Sequence, residues 1–309
     1  MENKKAEMTS KELIGIVILV LSFVIVLLFW RLYNPGGEID KDACHTSIVL
    51  RSATNLGGIV GNKVTNAISL RCQTEKICLS MSGKDCEEFG KSTKNSPVTK
   101  IDVSSKQDIE REIANALYDC NSMVGEGKLD FMPTPTFSEK YCLICSRIAF
   151  DKEAKEQIQK ISYEELYFDW MMNNKLPSGK SYFESIYSYD IQENSEKLEE
   201  ARESADIQDA TSQDWSLNLN NEHAILAATI PKGAWWTWTK AGAFAVVALA
   251  SPLAGPFAPV VFLTAAGASG IIVVTEYPSG DSKYIPPVIV KYDLQTLQGM
   301  DCNSFETAP

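Results

Sequence analysis

The sequence predicts an α+β protein. An N-terminal transmembrane helix leads into a disulfide-stabilised ectodomain of mixed helices and strands, which carries an Ala/Gly-rich apolar helical hairpin. Three observations predict this. Residues 13–30, LIGIVILVLSFVIVLLFW, hold no charge between Glu12 and Arg31. All eight cysteines (Cys44, Cys72, Cys78, Cys86, Cys120, Cys142, Cys145 and Cys302) lie beyond that run, and their number is even. A second charge-free run, residues 241–275, stands between Lys240 and Glu276 and is broken by Pro252, Pro256 and Pro259.

The first run suits a membrane span. A helix rises about 1.5 Å per residue, so the run and its flanks match a hydrocarbon core of about 30 Å. Trp30 and Tyr33 stand where an interfacial aromatic belt lies. The chain continues Arg-Leu-Tyr-Asn-Pro rather than with a small-residue cleavage site, so the run reads as an uncleaved signal anchor. Lys4, Lys5 and Lys11 before it, against Arg31 and Lys41 after it, give a small positive-inside bias. The cysteines argue more strongly, because disulfides persist outside the cytosol. The expected layout is a cytoplasmic tail over 1–12 and an anchor over 13–33. A cysteine-containing α+β ectodomain covers 34–189, and an acidic linker or exposed helix covers 190–214. C-terminal strands with the apolar hairpin fill 215–309. No N-x-[ST] sequon occurs to locate the outer region.

Composition excludes some functions. The 309 residues include 40 acidic and 29 basic ones, a net charge of -11, which is unlike the basic stripe of a nucleic-acid surface. His45 and His223 are the two histidines, little material for imidazole catalysis or metal binding.

Along the chain, Asn34-Pro35-Gly36-Gly37 reads as a turn. Ser47–Leu50 and Ala67–Cys72 read as short strands. The glycine-rich stretch between them lacks the phosphate-loop order. Cys72, Cys78 and Cys86 are not spaced as structural zinc ligands are, so disulfides are expected there. Ser105 and Asp108 form a capping box for a helix with Ile109, Ile113, Ala116, Leu117, Cys120 and Met123 on one stripe. Gly125 is placed to end it. Residues 139–150 read as a strand. Cys142 and Cys145 within it point to opposite faces, which predicts two separate bridges, with Cys120 a candidate partner. A helical pattern follows over 151–176, with a second capping box at Ser162 and Glu165. Residues 181–189 form a short aromatic element, strand or helix. Residues 223–230 read as a strand, and a hairpin joins GIIVVTEY to YIPPVIVKYD. Pro286 and Pro287 are expected at a sheet edge or before the strand starts. An unstructured tail is expected after Cys302.

The stretches ALYDCNSMVGEGKLDF, EKYCLICSRIAFD and NNKLPSGKSYF resemble a group of uncharacterised archaeal membrane-anchored proteins with a cysteine-containing outer region. The resemblance covers roughly residues 10–190. It implies a single anchor, an outward-facing bulk and an archaeal source. It brings no activity and no site residue.

The run 241–275 leaves three readings. Two short arms, 240–251 and 258–270, make a re-entrant hairpin with both ends outside, its water boundary marked by Trp235, Trp236 and Trp238. A buried core is the second reading. A single crossing over 256–275 is the third, and it would strand Cys302 away from seven cysteines. The prolines and Cys302 favour the hairpin.

Motifs for hydrolytic, nucleotide and zinc chemistry are absent, so no catalytic, cofactor or metal residue is assigned. The expected partners are the lipid bilayer and other surface or membrane proteins, not nucleic acid. Three functions fit: a cell-surface binding or scaffolding protein, a membrane-remodelling protein acting through 241–275, and an extracytoplasmic thiol oxidoreductase using Cys142 and Cys145. The first demands least of the residues.

Overall fold

The computed structural model describes residues 19–22, 24, 36–56, 70–90, 92–93, 97–129, 140–163, 165–187, 216–231, 245–248, 260–265, 268–273, 275–276, 282–300, 302 and 304–306. The chain divides into two units, Met1–Asp40 and Lys41–Pro309. In the first, residues 19–22 and 24 are helical, with Leu19, Val20, Leu21 and Val24 exposed. The remainder of the run 13–30, including Trp30, lies outside the described residues, as does Tyr33. Among the described residues no helix is long and apolar enough to cross a membrane. The transmembrane helix expected over 13–30 is therefore not a described element.

Helix α1, Gly36–Leu56, replaces the expected strand over Ser47–Leu50 and takes in Gly36 and Gly37 of the expected turn, whose Asn34 and Pro35 lie outside the described residues. Its buried residues recur at helical spacing: Cys44, Ser47, Ile48, Arg51 and Ser52. Two of these carry hydroxyls and one a guanidinium, so an apolar pattern does not mark the stripe. Polar bonds hold it instead. Ser47 Oγ donates to the Cys44 carbonyl and accepts from the Arg71 amide, at 2.7 and 3.0 Å. Lys41 ion-pairs with Asp119 and, at 3.4 Å, with Glu75. The strand expected over 67–72 is also absent in its described part, because Leu70–Cys72 has no regular structure.

The second unit is built on a seven-stranded mixed sheet. Its strands are β1 (Glu75–Ser80), β2 (Val98–Asp102), β3 (Tyr141–Phe150), β6 (His223–Pro231), β10 (Thr275–Glu276), β11 (Ser282–Lys291) and β12 (Ser304–Glu306). The order is β10-β11-β6-β3-β1-β2. Strands β2, β1 and β3 are parallel, while β6, β11 and β10 are antiparallel to their neighbours. One edge of β3 is shared. Its first residues, 141–143, pair with β12, and its last, 146–150, pair with β1. The tail expected to be unstructured thus contains a strand of the main sheet. Two further strands, β4 (Lys160–Ser162) and β5 (Ser216–Asn218), form a separate pair.

Helix α2, Lys106–Met123, covers one face, as its periodicity predicts. Ile109, Ile113, Ala114, Leu117 and Cys120 are buried against Leu79, Leu143, Ile148, Phe150, Ile225, Ala227 and Ile289 of the sheet. Ser105 accepts from the Asp108 amide, and the Asp108 carboxylate accepts from Ser104. The opposite face packs Cys142, Ile144, Leu226, Ala228, Ile285, Val288 and Val290 against Met300. A 3-10 turn (Glu87–Phe89), helix α3 (Lys152–Gln157), a π-helix (Glu165–Met171), α4 (Tyr182–Tyr187) and α5 (Leu294–Gly299) complete the described helices. The helical pattern read over 151–176 is in fact α3, β4 and the π-helix in succession.

Two register shifts set which residues face which layer. One falls between Ile144 and Ser146 of β3. It breaks strict alternation, so Cys145 and Ile148 share the α2 face although they are three residues apart. The other falls between Ile285 and Val288. It absorbs Pro286 and Pro287, whose missing amides cannot serve the ladder. The prolines therefore sit at a bulge inside β11, just past Tyr284 where the described pairing with β10 ends, and do not delay the strand.

The second charge-free run is not helical where it is described. Strands β7 (Ala245–Ala248), β8 (Val260–Ala265) and β9 (Ala268–Val273) form an antiparallel three-stranded sheet. This corrects the helical hairpin with arms 240–251 and 258–270. Val246, Val247, Val260, Val261, Ile271, Ile272 and Val273 are β-branched, which suits a pleated sheet better than a helix.

Candidate functional site

The cysteines are the one group of predicted residues the fold brings together throughout. Four disulfides form: Cys44–Cys72, Cys78–Cys86, Cys120–Cys145 and Cys142–Cys302. Cys142 and Cys145 are bound to different partners across opposite sheet faces. Both are buried, at 0% and 4% exposure, so neither presents a sulfur to an incoming thiol. Among the described residues no cysteine is free and no group of three or more His, Cys, Asp or Glu is placed to hold a metal ion.

The parallel strands end together, which is where open α/β sheets commonly bind ligands. Strand β1 stands between β2 and β3, the chain passes outward to β2 and then back across to β3 through α2, and the crevice falls between β1 and β3. A carboxylate fills it. Asp151 accepts from Ser80 Oγ (2.8 Å), the Ser82 amide (2.9 Å), Ser82 Oγ (2.6 Å) and the Ala154 amide (2.9 Å). Burial alone would raise its pKa. The Ser82 hydroxyl, the Ala154 and Ser82 amides and the Ser80 hydroxyl outweigh that and hold it at about 2. The position that could take an anion therefore carries the chain's own. Sequence reading passed over this node, although Asp151 directly after an apolar strand and before Lys-Glu-Ala is an N-cap signal.

Other polar groups are bound into the fold. Lys106 pairs with Glu165, and the Ser162 amide donates to Glu165 at 3.2 Å, which closes the second capping box. Glu110 lies buried beside them. Burial raises its pKa, Lys106 opposes that rise, and the charges of Glu165 and Asp169 add to it. Asn121 joins three elements, accepting from Tyr284 at 2.8 Å and donating to the Ser185 carbonyl at 3.2 Å. On the opposite face Arg147 pairs with Glu222 and lies over the Tyr292 ring at 4.2 Å. His223 Nε2 bonds the Asn218 carbonyl at 2.9 Å, and burial lowers the ring's pKa to about 4.

The segment holding the second run has a distinctive base. Strand β6 ends at Pro231, opposite Ser282 of β11. Tyr284 of β11 pairs with Thr229 of β6 on one side and with Thr275 of β10 on the other. Residues 232–274 thus leave and rejoin one sheet with their ends about two strand spacings, roughly 10 Å, apart. The Cys142–Cys302 bridge adds a covalent tie between chain before and after the segment. A single crossing over 256–275 is incompatible with that closure. Trp235, Trp236 and Trp238, expected at a membrane boundary, lie outside the described residues.

Compared with known proteins, the chain matches no family model, no curated protein and no solved structure.

Proposed function

We propose that this chain is a membrane-anchored extracytoplasmic protein whose disulfide-bonded sheet serves as a binding or scaffolding unit at the cell surface. The observation that carries this reading is the pairing of all eight cysteines in a region that follows a charge-free run. Four bridges suit an oxidising compartment and are foreign to a reduced cytosol. The exposed Leu19, Val20, Leu21 and Val24 on helical backbone support an apolar environment for that run. The resemblance to archaeal anchored proteins points the same way. Polar groups at the strand ends serve each other rather than an open site, which favours a structural over a catalytic role. The oxidoreductase alternative gains nothing from cysteines bridged separately on opposite faces.

The test is thiol labelling of intact cells with a membrane-impermeant maleimide. Labelling is expected only after reduction, and without permeabilisation. Labelling before reduction, or only in permeabilised cells, would overturn the proposal.

A further inference from the structure

We infer that Cys302 and β12 form a redox-released strap. Reduction of the Cys142–Cys302 bridge frees β12 and opens the edge of β3 at residues 141–143, while the other three bridges stay closed. The strap is a separate part of the chain from the anchor and does not depend on it. Access decides which bridge opens first, because exchange requires a thiolate to reach one sulfur of the bridge. Seven of the eight cysteines are buried, each at 4% exposure or less. Cys302 is the eighth and is partly exposed, packed against the cluster of Cys142, Ile144 and Met300. Cys44–Cys72, Cys78–Cys86 and Cys120–Cys145 therefore have both ends enclosed, and Cys142–Cys302 has one end within reach. An external dithiol balances the step. Its thiolate bonds to Cys302 Sγ, and Cys142 Sγ leaves with the electron pair and takes a proton. The second thiol of the reductant then attacks the mixed disulfide and releases Cys302 as a thiol. The bridge gains two electrons and two protons, and the dithiol ends as a disulfide.

The bridge is the main described hold on β12. That strand has 3 residues, which pair with Tyr141, Cys142 and Leu143. So short a strand near a chain end keeps its order only when tied down. Cys302 stands just before β12, and Cys142 is the β3 residue opposite Phe305, so the tie clamps the start of the ladder. Upstream, Met300 is fully buried and fixes the chain at the end of α5. The β3 side keeps its place when β12 leaves. Tyr141, Cys142 and Leu143 pair on their other edge with Thr229, Ala228 and Ala227 of β6. Arg51 Nη1 donates to the Tyr141 hydroxyl at 3.4 Å. Just beyond the opened stretch, Thr74 Oγ1 donates to the Ile144 carbonyl at 2.9 Å. Release thus uncovers a formed strand edge, whose backbone groups are a template for strand addition.

The test titrates the full-length chain with dithiothreitol under native conditions. Free thiols are trapped with N-ethylmaleimide and mapped by mass spectrometry. Cys142 and Cys302 are expected to label together, at a reductant concentration about tenfold below that which labels any other cysteine. Hydrogen exchange on the selectively reduced chain is expected to deprotect residues 304–306 and leave 146–150, paired with β1, protected. Opening of another bridge first, or of all four together, would overturn the inference. Selective reduction with unchanged exchange over 304–306 would also overturn it, since the ladder alone would then hold β12. The double variant Cys142→Ser with Cys302→Ser keeps the other three bridges. It is expected to show the fast exchange at 304–306 without reductant, and exchange there as slow as in the oxidised chain would overturn the strap.

Discussion

Asp151 and His223 show two ways of burying an ionisable group in this sheet. Asp151 stays charged because four donors compensate its lost water. His223 is fully enclosed, and burial, with the nearby Lys291 charge, outweighs its bonds to backbone carbonyls, so it folds neutral. The sign of the consequence follows. An unfolded histidine takes a proton near pH 6.5, whereas here burial lowers the pKa to about 4. The unfolded state therefore binds more protons in between, and stability falls as pH drops from 6.5 to 4, by about 3 kcal/mol in all. Denaturant unfolding of His223→Gln across that range is expected to lose this slope. An unchanged slope would mean another group titrates there. Neither burial was legible in the sequence. His223 opens the apolar stretch HAILAATI, and nothing local says that its neighbours exclude water.

Elements were legible where local chemistry and packing agree. In α2 the Ser105 cap, the Ile109–Cys120 stripe and Gly125 all point to the same helix, and the structure has it. Gly125 has φ +79°, and a Cβ there would meet the Leu129 side chain. Gly125→Ala is expected to cost about 1–2 kcal/mol in thermal or denaturant unfolding, against little for an exposed Gly→Ala at negative φ. The opposing faces of Cys142 and Cys145 followed from strand alternation alone, and their separate bridges follow in turn. Elements were illegible where packing overrides local pattern. In α1 a Ser, Ser and Arg stripe is buried while Val49 and Leu50 are exposed, so SIVL invited a strand reading. The β3 and β11 bulges shift residues between layers by pairing with distant strands, which no local window contains. In 241–275 the absence of charge suggested helical arms, and the β-branched residues that argue for strands were outweighed.

Across the molecule, the bridges divide into three local ones and one long one. Cys44–Cys72, Cys78–Cys86 and Cys120–Cys145 have separations of 28, 8 and 25 residues, and Cys142–Cys302 has 160. If cross-links act by restricting the unfolded chain, stabilisation grows with the logarithm of loop length. Replacing Cys142 and Cys302 by Ser is expected to cost up to about 3 kcal/mol more than replacing Cys78 and Cys86, read from denaturant midpoints. Equal costs would indicate that the other bridges already restrict that loop. The even cysteine count foretold a closed set of bridges, but which strand returns beside which is a property of the sheet. The shared edge of β3 also gives the protein a timetable. On the edge away from β6, residues 141–143 pair with residues 304–306. At about 5–20 residues per second, synthesis of the 160 residues between Cys142 and Cys302 takes roughly 8–32 s. During that interval the nascent chain carries an open, apolar strand edge, which closes when residues 304–306 arrive.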